Sequence, residues 1–213
     1  MTKSALIFWG GWDGHTPDRS AAAVAVILER NKVAVDVVTG TAALADPDLG
    51  RYDLIVPMIT MSTIEKPELA GLTAAVRAGT GLAGAHGMMC DAFRNETEYQ
   101  FMTGGQWVSH PGNIIDYRVN INSDDPIVAG IGDFPYCSEQ YYMHVDPTNE
   151  VLATTTFTGE HLADVAGAVM PVVWKRRYGA GRVFYSALGH VAEEFAVPQM
   201  ATIFERGALW AMR

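Results

Sequence analysis

The stretch Gly81-Leu82-Ala83-Gly84-Ala85-His86-Gly87-Met88 is a short apolar run that ends in small residues around one titratable side chain. A run of that kind reads as a buried strand leaving a sheet through a tight turn into a helix. In open α/β sheets the ligand crevice lies beyond the carboxyl ends of such strands. His86 therefore marks an expected site, and the rest of the chain is read outward from it.

Upstream, strand and helix patterns alternate. Ala5 to Trp9 reads as the first strand, followed by the glycine-rich loop Gly10-Gly11-Trp12-Asp13-Gly14-His15. Thr16-Pro17-Asp18 suits a helix start, with Thr as cap, Pro in the first turn and Asp at the positive end of the dipole. Val33 to Val38 alternates as a strand near the sheet edge does, and Leu54 to Met58 reads as a more buried strand. Pro67-Glu68-Leu69 opens a second helix closed by Gly79, and Met88 to about Met102 reads as the helix after Leu82–Ala85. Alternation of this kind implies a parallel sheet with right-handed crossovers.

Downstream, the pattern changes. Tyr117 to Ile121 and Val151 to Thr156 read as strands, and Val169 to Trp174 pairs with Arg182 to Ser186 across a turn at Tyr178–Gly181. These are antiparallel additions, and a helix from about Gln199 to Met212 ends the chain. Without internal repeat, low-complexity tract or linker, residues 1–213 read as one domain. The expected fold is α/β, a flavodoxin-like three-layer sandwich with a mainly parallel central sheet and antiparallel additions in the C-terminal half.

Composition narrows the function classes. The 213 residues are 49% hydrophobic and 18% charged, which suits one globular domain with a large core. A formal net charge of −9 argues against nucleic acid or an anionic membrane as partner, because phosphate binding draws on Lys and Arg. The one basic cluster, Lys175-Arg176-Arg177, precedes a turn and reads as a solvated loop. No apolar run is long enough to span a bilayer, and the N-terminal stretch reads as a strand and not a signal peptide. Two cysteines, Cys90 and Cys137, are too few for a disulfide framework, so a reducing cytoplasm is the simplest setting. A homo-oligomer stays open.

Five of the six histidines are candidates for chemistry. The loop before His15 lacks the Gly-Lys-Ser/Thr ending of a P-loop and fits a dinucleotide fingerprint poorly. Gly84-Ala85-His86-Gly87 resembles a nucleophile elbow, but His stands where Ser or Cys would attack, and the second glycine comes one position early. Cys90, one helical turn on, reads as a buried core residue. His110 lies in Ser109-His110-Pro111-Gly112, Glu139 and His144 in Ser138-Glu139-Gln140-Tyr141-Tyr142-Met143-His144, and His190 directly after Leu188-Gly189. His161, in a polar stretch, reads as exposed.

In these segments the chain resembles the trehalose-utilisation (ThuA-like) family, whose fold is that of class I glutamine amidotransferases. The most specific matches are Pro171-Val172-Val173-Trp174 and the run from Tyr178 to His190; Gly84-Ala85-His86 and Ser138-Glu139-Gln140-Tyr141-Tyr142 add to them. The resemblance implies a bacterial cytoplasmic protein of carbohydrate metabolism, tied to disaccharides and to 3-keto sugars made by a partner dehydrogenase. Ser138 departs from it, since the family often has Asp before Glu.

The expected function is thus an enzyme on a keto-sugar, keto-glycoside or disaccharide, using histidine acid/base or metal-assisted chemistry. His86, His190 and Glu139 are the expected catalytic residues. His15, Trp12, His110, Tyr141, Tyr142 and His144 are expected to bind substrate, with Trp107 as a further platform for a sugar ring. His86, His110, Glu139 and His190 make an expected Zn²⁺ or Mn²⁺ set. The alternative is a non-catalytic sugar-binding or regulatory module. A glutamine amidotransferase is disfavoured, for the elbow lacks its Cys.

Overall fold

The computed structural model describes residues 2–213. In chain order the elements are β1 (Ser4–Gly11), α1 (Pro17–Arg30), β2 (Ala34–Thr39), β3 (Leu54–Thr60), α2 (Lys66–Arg77), β4 (Gly81–Ala85), α3 (Gly87–Cys90), α4 (Thr97–Thr103), β5 (Gly105–Ser109), β6 (Ile114–Ile121), β7 (Phe134–Glu139), β8 (Tyr142–Val145), β9 (Glu150–Thr156), β10 (Val169–Tyr178), β11 (Gly181–Ser186) and α5 (Pro198–Ala211). A nine-stranded sheet has the order β2-β1-β3-β4-β11-β10-β9-β6-β7, and β5 pairs with β8 separately. From β2 to β11 every pairing is parallel; from β11 to β7 every pairing is antiparallel. The α/β architecture, parallel first and antiparallel later, is as expected from the sequence.

Helices cover both faces because strand side chains alternate. On β11, Phe184 packs on Phe204 of α5, and its neighbour Tyr185 stacks on Trp174, whose Nε1 donates to Thr103 O of α4 at 3.0 Å. Strands β3 and β4 are buried along their whole length, as apolar runs covered on both faces must be.

Four expectations need correction. The helix expected from Met88 to Met102 is two helices. The Asp91 and Ala92 carbonyls accept Met61 N and Ser62 N, each at 2.8 Å, instead of continuing the helical ladder. Thr16 precedes α1 but does not cap it; its hydroxyl accepts Ala192 N at 3.1 Å. Gly10 and Gly11 extend β1 and do not form a loop. Lys175-Arg176-Arg177 lies within β10, with Lys175 paired to Asp125 and Glu150, and Arg176 to Asp146.

Candidate functional site

The parallel strands β1, β3, β4 and β11 end on one side of the sheet, and the side chains that follow them converge there. His15 sits in a 3₁₀ turn after β1, and its Nδ1 meets the hydroxyl of Thr60, the last residue of β3, at 2.7 Å. His86 follows β4 with φ 52° and ψ −148°, a backbone state that is sparsely populated for any side-chain-bearing residue and costs about 1–3 kcal/mol. It is held there by His86 N donating to Ser186 O at 2.6 Å and by the Tyr185 hydroxyl donating to His86 O at 3.1 Å. The elbow shape anticipated from Gly84-Ala85-His86-Gly87 is thus present, with an imidazole at its tip. His190 follows β11, and Glu139 ends β7.

One donor atom from each of His15, His86, Glu139 and His190 lies within 4.8 Å of the others. His86 Nε2 is 3.0 Å from Glu139 Oε2 and 3.3 Å from His190 Nδ1, which is 3.4 Å from the same oxygen. His110 Nε2 stands 3.6 Å from Glu139 Oε1, outside this group, so His15 takes the place expected for His110 in the ligand set. Tyr141 stacks on the His86 ring at 3.9 Å. Gly87 makes room for this: a Cβ there would lie 2.6 Å from His15 Cε1 and 2.8 Å from the Tyr141 hydroxyl.

Protonation follows from burial. Burial, with His86 and His190 adding to it, lowers His15 to about 2. Burial lowers His86 as well, and its side chain is 0% exposed. For Glu139, burial works upward, but His190 and His86 outweigh it and hold the carboxyl below its usual range. His86 Nδ1 lies 2.7 Å from the Ala187 carbonyl, which can only accept, so the proton of neutral His86 is on Nδ1. Its Nε2 then turns a lone pair toward an ionised carboxylate. Two imidazole nitrogens, of His86 and His190, and the Glu139 oxygen thus face one another within 3.4 Å. Such a group could hold a metal ion, and a carbonyl bonded to the far nitrogen is how ligating histidines are commonly oriented.

Beside the cluster opens a pocket of about 430 Å³, within the roughly 300–1,000 Å³ usual for small-molecule sites. Trp12, His15, Trp107, His110, Glu139 and Tyr141 line it, together with Thr60, Met61, Asp91, Arg94 and Asn113. Tyr142 and His144 do not reach it. Next to Tyr141 in the chain, Tyr142 turns the other way and packs edge-on against Phe157, and His144 is exposed on β8. His161 is exposed, as expected.

Three contributors escaped the sequence reading. Asp91 and Arg94 were hidden inside the supposed long helix. Glu194, four residues after His190, carries no signal of its own in the sequence. Its Oε2 accepts Gly189 N at 3.1 Å, His190 N at 3.0 Å and the Tyr136 hydroxyl at 2.5 Å, and its Oε1 accepts the Ser138 hydroxyl at 2.8 Å. Ser138, next to Glu139 on β7, is thus a donor to Glu194.

The profile of the ThuA family, described as trehalose utilisation, matches residues 4–211. No curated protein matches the chain. Among solved structures, a ThuA-like protein from Parabacteroides merdae is 20% identical, with a TM-score of 0.79 over 99% of this chain and 89% of that one. Another from Bacteroides uniformis is 18% identical, with a TM-score of 0.78 over 97% and 89%. A cytoplasmic protein from Salmonella typhimurium is 13% identical, with a TM-score of 0.68 over 99% and 100%. At these identities the likeness is one of fold.

Proposed function

The chain belongs to the ThuA, trehalose-utilisation family, and from that premise we propose that it is a cytoplasmic enzyme acting on an oxidised sugar. The substrate class is a 3-keto-sugar, a keto-glycoside or a disaccharide derived from one. The supporting observation is the group of acceptor atoms on His86, His190 and Glu139, which a divalent cation, Zn²⁺ or Mn²⁺, would satisfy. His15, His86, His190 and Glu139 would hold it; when bound it polarises a carbonyl or hydroxyl oxygen.

The roles of the protein groups divide by exposure. His86 is fully buried, so it acts as a ligand and not as a base in contact with substrate. His110 lines the pocket with its side chain 26% exposed, and is the imidazole placed to accept a proton from a carbon next to a ketone. Glu139 Oε1 lies 3.6 Å from His110 Nε2, within ion-pair reach but not hydrogen-bonded. Trp12, Trp107 and Tyr141 exclude water and offer faces to a pyranose.

Elemental analysis of protein purified without chelator tests this reading. Close to one Zn or Mn per chain is expected, falling at least tenfold in both His86→Ala and Glu139→Gln, with loss of 3-keto-glucoside turnover in parallel. Full turnover by metal-free protein would overturn the cation. Sugar binding that survives in all forms with no turnover in any would make the chain a binding module.

A further inference from the structure

One ion pair in the pocket is left unused by the chemistry above. Arg94 Nε donates to Asp91 Oδ1 at 2.6 Å and Nη2 to Oδ2 at 2.8 Å, a two-point fork. Gln106 Nε2 donates to the same Oδ1 at 3.2 Å. The Arg94 guanidinium also lies over the Trp107 ring, 4.9 Å from its centroid. Asp91 is buried, whereas the Arg94 side chain is 43% exposed and faces the pocket. Two of its five N–H groups are spent on Asp91; the other three have no hydrogen-bond partner among the described residues.

Two neighbouring groups share that condition. Trp107 Nε1 and His110 Nδ1 are buried without a hydrogen-bond partner among the described residues, as are Tyr99 Oη and Arg176 Nε away from the pocket. Buried polar atoms are normally satisfied, so each exception calls for an explanation, and the first two belong to residues that line the pocket beside Arg94. The same pocket carries the exposed apolar surfaces of Trp12 and Met61. Hydrogen-bonding groups beside apolar surface fit a pyranose, which has apolar ring faces and hydroxyls round its edge.

We propose that Arg94, fixed by Asp91 across Trp107, is a specificity-determining residue that reads adjacent ring hydroxyls of an uncharged glycosyl unit. The proposal rests on the sugar reading above and adds which sugars are taken. The preference for an uncharged ring follows from charge. Asp91 already neutralises the guanidinium, Glu139 adds an anion, and a carboxylate on the ligand would meet both. Arg94 is therefore a donor fork in place, and not a free cation.

The test is equilibrium binding by titration calorimetry, with methyl α-glucoside and methyl α-glucuronide as probes. Wild type is expected to bind the glucoside more tightly than the glucuronide. Arg94→Met and Arg94→Lys should weaken glucoside binding at least tenfold, since neither keeps a planar fork. Trp107→Phe keeps an aromatic face under Arg94 and removes a donor that has no protein partner; affinity should fall about three- to tenfold. Asp91→Asn should raise the glucuronide-to-glucoside affinity ratio at least tenfold. The proposal is overturned if wild type binds neither probe or prefers the glucuronide, or if Arg94→Met binds the glucoside as wild type does. Turnover plays no part in these measurements, so an Arg94-independent enzyme sinks this proposal alone. An Arg94-dependent protein lacking metal and activity sinks only the catalytic reading.

Discussion

Gly87 shows how little room the cluster leaves at the level of one residue. Any side chain there enters the space shared by His15 and Tyr141. Gly87→Ala is expected to cost about 1–3 kcal/mol in denaturant unfolding, as overpacked sites do, and to reduce bound metal. Gly50→Ala is its control: a Cβ at Gly50 meets nothing within 4 Å, so stability should change by less than about 0.5 kcal/mol. His86 was legible in the sequence for the same reason, since an imidazole flanked by glycines at a strand end has no ordinary place in a core. His15 was legible too, because Gly10-Gly11 precede it after an apolar strand. Tyr142 and His144 misled because sequence neighbours of Tyr141 and Glu139 look equivalent until strand alternation assigns each a side.

Between elements, Glu194 does what no single strand can. Its carboxylate joins β7, through Tyr136 and Ser138, to the turn after β11 that carries His190. Glu194→Ala leaves four donors without their acceptor and should destabilise the protein by about 2–4 kcal/mol. Ser138→Ala removes one of the four and should cost about 1 kcal/mol. A Glu194→Ala protein as stable as wild type would show that the junction is held otherwise. Most of the parallel half could be read from apolar runs alternating with amphipathic stretches. The antiparallel half was harder. Strand β7 contains Pro135, tolerated because it lies at the sheet edge, and β5 and β8 are five and four residues long. The break between α3 and α4 was invisible because its cause, two carbonyls bonded to the loop after β3, is distant in sequence.

For the molecule as a whole, neutral buried histidines set the acid limit. In the unfolded chain His15 takes up a proton near 6.5, while in the folded protein it is held to about 2. Between these values the unfolded state binds more protons, so stability falls as pH drops below about 6.5 and is unaffected by this group above it. One such group contributes at most about 1.4 kcal/mol per pH unit. Melting curves of metal-free protein should therefore slope downward from pH 6.5 toward 4.5, less steeply in His15→Asn. Equal slopes for the two proteins would exclude His15 as the source. The place of β11 bears on how the chain assembles. It lies mid-sheet, between β4 and β10, though it follows both of them in the chain. Until it arrives, β4 and β10 each present an open edge, the surface most prone to pairing with a stranger. The nascent chain is thus exposed to misassociation until Gly181–Ser186 emerges, and only then do His86 and His190 meet.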